Sequence, residues 1–465
     1  MSAALSIRPS LFLSLILILS GCGIVVRNAM DGYQYVSRGG LQYPGRLGPL
    51  EPQEKEWARI AWRYFENNSA EQTGLVNSVD KYPVLNAWQL GDILIALTAA
   101  EQFELISKVT FDQRLAKILA TLDNMPLTRG KVPNKTFSVK SGNMVDYASK
   151  PNETGWSAID IGRLLLSLKI VGQFYPEYRE YLDKMVLRWN YCSLLDSDGQ
   201  LLSAYDKQAG FPPVPEGRLG YSEYSASGFT LWGFLPGKST IPPYETTLIY
   251  NIPIDFDARD PRSNQQNNPV LSMPYLLSGI EFNWQAPGNS KEYQRLQQQR
   301  SQRIYQVQEA RWKIDKIYTA RTDHLSSPPP NLLYDSIFAN GYPWNSIGDD
   351  NKEYPEKALV ATKAVFGMWV LWNTEYTDQL MTITRSMYDA KRGWYEGRYE
   401  KSGAYDRTIS LSTNAVVLEA LLYKHNFGSL FRTHDQSSYY YTKLQDVFNL
   451  PNQCTPPERD SQNSP

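Results

Sequence analysis

Four carboxylates stand apart by their surroundings. Glu396 lies in Gly393-Trp394-Tyr395-Glu396-Gly397-Arg398-Tyr399-Glu400, crowded by glycine and aromatic residues. Glu281 sits inside the apolar stretch from Pro274 to Phe282. An ionised carboxylate there is costly to bury, so it must be neutral, functional, or paired with an arginine such as Arg311. Glu153 stands just before Gly155-Trp156, where it either caps a helix or projects into a site. Asp323 closes Thr319-Ala320-Arg321-Thr322-Asp323 beside His324. Two such carboxyls, one protonated near neutral pH and one ionised, are the requirement for cleaving a glycosidic bond. A separation of about 5–5.5 Å gives retention of configuration and roughly 6.5–9.5 Å gives inversion.

Sugars offer polar edges and flat C–H faces, so rings and further carboxylates should surround that pair. The chain holds 12 Trp, 31 Tyr and 16 Phe, a surplus that packing alone need not absorb. Trp88, Trp156, Trp344 and Trp394 follow similar Gly–aromatic or polar-loop elements. With Tyr275 and Tyr395 they are the expected stacking surfaces, and Asp92 and Glu400 the expected hydroxyl partners. Glu396 or Glu400 has the alternative of pairing with Arg392 or Arg398. Asp160, three residues before Arg163, reads as half of a helix-surface ion pair.

Other chemistries find no support. There is no Gly-x-Ser-x-Gly elbow, phosphate loop or His-Glu-x-x-His. Three His and three Cys argue against a metal site, and no cofactor is expected. Lys plus Arg is 47 against 48 acidic residues, a net charge of −1 that gives no electrostatic basis for nucleic-acid binding.

The elements that must position these residues are helices of two kinds. Trp57, Ile60, Ala61, Tyr64 and Phe65 make a single stripe, as do Phe111, Leu115, Ile118, Leu119 and Leu122. Residues 178–189, 302–312 and 377–388 are further outer-type candidates. By contrast 87–100, 156–171, 358–372 and 411–423 are apolar nearly all round, the mark of helices buried on both sides. Residues 203–274 are rich in Pro, Gly and Asp, with strand-like pieces such as 245–252. This alternation predicts an all-α fold, an (α/α)6-type toroid with short β pieces and long rim loops. It occupies residues 53–430, and a C-terminal extension and polar tail occupy 431–465.

The N-terminus predicts where the protein is held. Residues 11–20 (LFLSLILILS) are about half as long as a spanning helix, so residues 1–21 read as a signal peptide. Leu19-Ser20-Gly21-Cys22 resembles the bacterial lipobox, which implies lipidation of Cys22 and a tether over 22–52. Gly23, in place of Asp, favours the outer membrane and a periplasm-facing domain.

GWYEGRYE (393–400) and ISLSTNAVVLE (409–419) resemble a glucoamylase-like domain-of-unknown-function family of bacterial envelope proteins, the DUF3131 type. The resemblance extends to AWRYFENN (61–68), TGLV (73–76), WQLGD (88–92), GWSAIDIGRLL (155–165), PYLLSGIEF (274–282) and TARTD (319–323). It implies a toroid related to glycoside hydrolases such as β-1,2-glucanases, and no family catalytic residue carries over. The expectation is an envelope lipoprotein that hydrolyses or transglycosylates a periplasmic or exported polysaccharide, a glucan. Glu153, Glu281, Asp323 and Glu396 form the pool for acid and base, and a glycan synthase or export machinery is the expected partner. The rival readings are a non-catalytic glycan-binding or secretion lipoprotein, and a polysaccharide lyase. A lyase requires arginines and lysines converging on the funnel.

Overall fold

The computed structural model describes residues 45–431, apart from 187, 197, 206–212, 235–240 and 262–266. The expected signal peptide, Cys22 and, beyond Phe431, the expected C-terminal extension lie outside these residues. Eleven α-helices are present among those described: α1 (Pro52–Asn68), α2 (Ala87–Gln102), α3 (Lys108–Asn124), α4 (Ala158–Phe174), α5 (Arg179–Val186), α6 (Tyr221–Leu231), α7 (Met273–Phe282), α8 (Lys291–Asp315), α9 (Thr362–Leu371), α10 (Glu375–Thr384) and α11 (Leu411–His425).

Six of them close a ring. α2 packs on α4, α4 on α6, α6 on α7, α7 on α9, α9 on α11, and α11 returns to α2. These inner helices bury side chains on both sides, as Leu90, Ile93, Leu94, Ile95 and Leu97 do in α2. The outer helices α1, α3, α5, α8 and α10 pack against α11, α2, α4, α7 and α9. They bury one stripe each, as Phe111, Leu115, Ile118, Leu119 and Leu122 do in α3. No outer helix is described between α6 and α7. That stretch carries an antiparallel hairpin of Tyr244–Ile249 with Ile252–Asp257, whose second strand packs on α8. The architecture is an (α/α) toroid.

The connections are unequal at the two ends. At the C-terminal ends of the inner helices they are short: 103–107, the turn Pro176–Tyr178, 283–290 and 372–374. At the N-terminal ends they are long: 69–86, 125–157, 187–220, 316–361 and 385–410. Short strands just before inner helices pair with the next long loop: Val84–Asn86 with Thr136–Ser138, Gly155–Trp156 with Leu202–Tyr205, and Leu359–Ala361 with Gly397–Tyr399. They tie the loops into one rim and fix the first turns of the inner helices. Asn86, Ser157 and Ser410 cap α2, α4 and α11 by accepting the N–H of Gln89, Asp160 and Thr413 at 2.9, 3.1 and 3.2 Å.

Several boundaries differ from expectation. The inner helix expected from 358 starts at Thr362, because Leu359–Ala361 is taken into a strand. α8 runs from Lys291, well ahead of 302, since its polar face obscures the period. The body also begins before 53. Arg46 bonds the carbonyl of Trp372 at 2.9 Å and Asp378 at 2.6 Å, which packs 45–50 under the C-terminal ends of α9 and α11.

Candidate functional site

The rim of long loops surrounds the N-terminal ends of the inner helices, and chemically active side chains converge there. Asp160 sits in the first turn of α4. A helix N-terminus ordinarily favours an ionised carboxylate, yet burial, then the neighbouring Glu216, push this carboxyl up to about 7. Lys135 and Ser157 only partly offset the rise. Glu216 accepts the backbone N–H of Ile159 at 3.0 Å and the Tyr205 hydroxyl at 3.3 Å. Burial raises its own titration above the ordinary glutamate range, against the pull of that N–H.

Asp323 behaves in the opposite way. It opens the strand Asp323–Leu325 and receives Lys363 Nζ at 2.8 Å and the Tyr221 hydroxyl at 2.7 Å. Burial opposes its ionisation, but Lys363, Tyr221 and Thr322 more than compensate, and it titrates below the usual aspartate range. The Tyr334 phenol is raised by burial first and then by Asp323, Asp349 and Asp160, so one ring shares the neighbourhood of both carboxyls. Tyr147, 58% exposed on the loop 125–157, likewise senses Asp160, Tyr334 and Glu216. Trp88 forms part of the floor, 5.5 Å from Tyr221 and 5.7 Å from Tyr224 between ring centroids.

Beneath Trp88 lies a sealed ionic hub. Arg163 of α4 bonds Asp92 of α2 at 3.1 and 3.2 Å, Glu419 of α11 at 2.8 Å, Glu281 of α7, and the Tyr224 hydroxyl of α6 at 2.7 Å. One guanidinium thus joins five of the six inner helices. Burial raises Asp92 to about 6 despite Arg163, and Ser412 donates to its other oxygen at 2.8 Å. Burial, reinforced by Glu419 and opposed by Arg163, holds Glu281 well above the carboxylate range.

Several expected site residues are therefore elsewhere. Glu281 is wholly enclosed and pairs with Arg163, whereas Arg311 pairs with Glu400. Glu396 is 1% exposed, with one oxygen bonded by Ser410 and the other by the Leu325 N–H at 3.2 Å. Glu400 is clamped between Arg311 at 3.0 Å and Arg321 at 2.7 Å, and Arg392 binds Asp80 instead. Trp344 packs on the same two arginines, 4.4 and 5.6 Å from its ring. Trp156, Tyr275 and Trp394 are buried, Trp394 with its Nε1 on the Trp57 carbonyl at 3.1 Å, so the four tryptophans are not equivalent rim platforms. Asp92 is sealed below the floor. Glu153 accepts the Arg129 N–H, while Ser157 caps α4. Tyr395 is half-buried, 6.3 Å from the Tyr405 ring. Trp88 and Asp323 remain at the funnel.

Asp160 was expected only as half of an ion pair, and Glu216, Tyr147, Tyr334 and Lys363 were not among the expected site residues. Asp160 does not pair with Arg163, whose side chain turns inward to the hub. A signal for it existed: an acid in the first turn of a largely apolar inner helix, three residues after its serine cap. Among the described residues, no three His, Cys, Asp or Glu side chains are placed to hold a metal ion.

Residues 56–426 match the family described as "Protein of unknown function (DUF3131)". The chain belongs to the DUF3131 family. No protein of curated function matches the sequence. Solved structures share the DUF3131 chain's fold at low identity. A putative glucoamylase from Bacteroides caccae is 12% identical, with 80% of this chain and 92% of that chain covered and a TM-score of 0.59. An endo-β-1,2-glucanase from Chitinophaga pinensis, solved with sophorotriose and glucose, is 12% identical over 81% and 93%, with a TM-score of 0.56. An endo-β-1,2-glucanase from Talaromyces funiculosus, a mutant in complex with β-1,2-glucan, is 13% identical over 85% and 88%, with a TM-score of 0.54.

Proposed function

We propose that this DUF3131 protein cleaves or transfers glucan chains at the loop-bearing mouth of its toroid. The observation that carries the reading is a pair of carboxyls in one funnel pushed in opposite directions: Asp160 up to about 7 and Asp323 below the usual range. That divergence is what assigns acid and base in a two-carboxylate mechanism. Asp160 gives its proton to the glycosidic oxygen as the C–O bond to the anomeric carbon breaks. Asp323 takes a proton from the attacking water or sugar hydroxyl, whose oxygen forms the new bond. Glu216 holds the proton on Asp160 until a leaving group takes it. Lys363 keeps Asp323 ionised. Trp88, Tyr147 and Tyr334 offer sugar-stacking faces. The fold shared with two β-1,2-glucanases makes β-1,2-glucan the first polymer to try.

A lyase reading is less well supported. Arg163, Arg311 and Arg321 all turn to carboxylates inside the protein, and Lys363 is matched by Asp323. The lipobox-like Leu19-Ser20-Gly21-Cys22 supports acylation at Cys22, and Gly23 in place of Asp supports an outer-membrane position facing the periplasm.

The test is incubation of the purified protein with linear and cyclic β-1,2-glucans, other glucans and uronate polymers. Reducing ends and the absorbance of unsaturated products are followed together. New reducing ends lost in Asp160→Asn and Asp323→Asn support the proposal. Unsaturated products, or binding with no turnover of any polymer, refute it.

A further inference from the structure

The donors around Asp323 are unevenly shared between its two oxygens. Oδ1 receives the Tyr221 hydroxyl at 2.7 Å and the Thr322 hydroxyl at 2.9 Å. Oδ2 receives only Lys363 Nζ, at 2.8 Å. An ionised carboxylate accepts at about four lone-pair sites, two on each oxygen. Among the described residues Oδ1 is therefore full, and the one open site is on Oδ2. The side chain keeps 20% of its surface open, so a water or a sugar hydroxyl can approach it. Tyr221 is the first residue of α6, and its direction is set on every side. Gly220 before it is left-handed, with φ 97°, and packed where a Cβ would come within 2.9 Å of Pro274. Glu223 Oε2 accepts the Gly220 N–H at 2.6 Å. The Trp88 and Tyr221 rings meet edge to face, 5.5 Å between centroids. Burial, then Asp323, raises the phenol well above its ordinary range, so it stays a donor at every working pH.

We infer that Tyr221 is the positioning residue of Asp323: with Thr322 it fills Oδ1 and so leaves Oδ2 as the single oxygen that takes the proton. The inference deepens the reading of Asp323 as the base and rests on it. Oδ2 accepts the proton of the attacking water or sugar hydroxyl, whose oxygen bonds to the anomeric carbon. The electrons of the broken C–O bond stay on the glycosidic oxygen, which takes the Asp160 proton. Lys363 shares Oδ2 and supplies charge. Tyr221 supplies none, and its contribution is direction. The torsion that turns a carboxylate has a broad, two-fold well, so an untethered group presents either oxygen. The Tyr221 hydroxyl removes that freedom. Because Trp88 rests on the same ring, the seat offered to a sugar and the aim of the base are both referred to one side chain.

The experiment compares wild type with Tyr221→Phe, which keeps the ring and loses one oxygen, and with Thr322→Val, which removes the other Oδ1 donor. kcat and KM are measured against pH on the best glucan, and melting temperatures are recorded. In the same proteins the Asp323 carboxyl is titrated by carbon NMR with labelled aspartate, its resonance identified by loss in Asp323→Asn. In Tyr221→Phe, kcat should fall roughly 10–100-fold, the size of a hydrogen bond to a charged group, while KM stays within about twofold. The acid limb and the Asp323 midpoint should rise together by about one pH unit, since the ionised form has lost a donor. Thr322→Val should move both in the same direction. A residue that only braced the fold would lower the melting temperature and leave limb and midpoint in place. An unchanged kcat, an unmoved midpoint, or a loss confined to KM overturns the inference. Should Tyr221→Phe not fold, Thr322→Val reads the same oxygen, and an unmoved limb there overturns it equally. Should wild type cleave no polymer, the hydrolase reading falls, and the midpoint in Tyr221→Phe alone decides whether Tyr221 holds the carboxylate.

Discussion

Lys363 reaches Asp323 across 2.8 Å from the first turn of α9, and that contact sets the charge of one funnel wall. Burial lowers the lysine's proton affinity, but Asp323 and Glu396 more than restore it. The pair is thus an ammonium and a carboxylate throughout the physiological range.

Replacing Lys363 with Met removes the charge that keeps Asp323 ionised. The acid limb of kcat/KM against pH should then move upward, because Asp323 takes up its proton at higher pH once the cation is gone. The measurement is a pH–rate profile on the best glucan for both proteins. An acid limb left in place would exclude Asp323 as the base.

Asp160 should define the other limb. With its carboxyl raised to about 7, activity should fall as pH passes through neutrality. Asp160→Asn should lower the rate by roughly 10²–10⁴ on polysaccharide. On aryl glycosides, whose leaving groups need little protonation, the loss should be much smaller. Equal losses on both substrates would argue against proton donation.

The same raised carboxyl has a consequence for stability. In the unfolded chain Asp160 titrates near its ordinary value, so the folded state holds the proton more tightly. That contribution is full below about pH 4 and is lost as pH rises through about 7. Asp160→Asn should therefore be more stable than wild type at pH 8, by roughly 1–3 kcal/mol after allowing for solvent screening. The gap should close by pH 4. Denaturant melts at the two pH values check it, and a gap independent of pH would contradict the protonation argument.

Glu281 and Arg163 should respond very differently to neutral replacements. A carboxyl that keeps its proton is mimicked by an amide, so Glu281→Gln should cost less than about 1.5 kcal/mol and retain activity. Arg163→Met leaves Asp92 and Glu419 buried without their cation and should cost about 3–5 kcal/mol. Equilibrium unfolding of the two variants decides it; comparable losses would mean that Glu281 is ionised in the hub.

The toroid was legible because burial on both sides leaves inner helices such as α2 and α11 without a continuous polar face. α6 was hidden in a region read as loop. Its sequence, YSEYSASGFTL, is full of serine and glycine, which local propensity assigns to turns. Tertiary packing requires them instead. A Cβ on Gly228 would lie 2.0 Å from the carbonyl oxygen of Gly162, so α4 and α6 cross on bare backbone. α7 was hidden differently, its proline at the second helical position resembling a break when it is a start. The site was harder still. Asp160 and Arg163 have the spacing of a surface ion pair, and nothing local shows that the arginine turns inward. Its carboxylate partners stand 71, 118 and 256 residues away along the chain. Trp394 and Glu396 misled for the opposite reason: a crowd of rings around an acid describes a packed core as well as a sugar cleft.

The described chain enters at Gly45 under α9 and α11, and leaves by way of Phe431, whose ring lies 5.8 Å from Phe282 at the end of α7. Both points are on the short-loop end, opposite the mouth. The mouth is therefore left clear of both ends of the described chain.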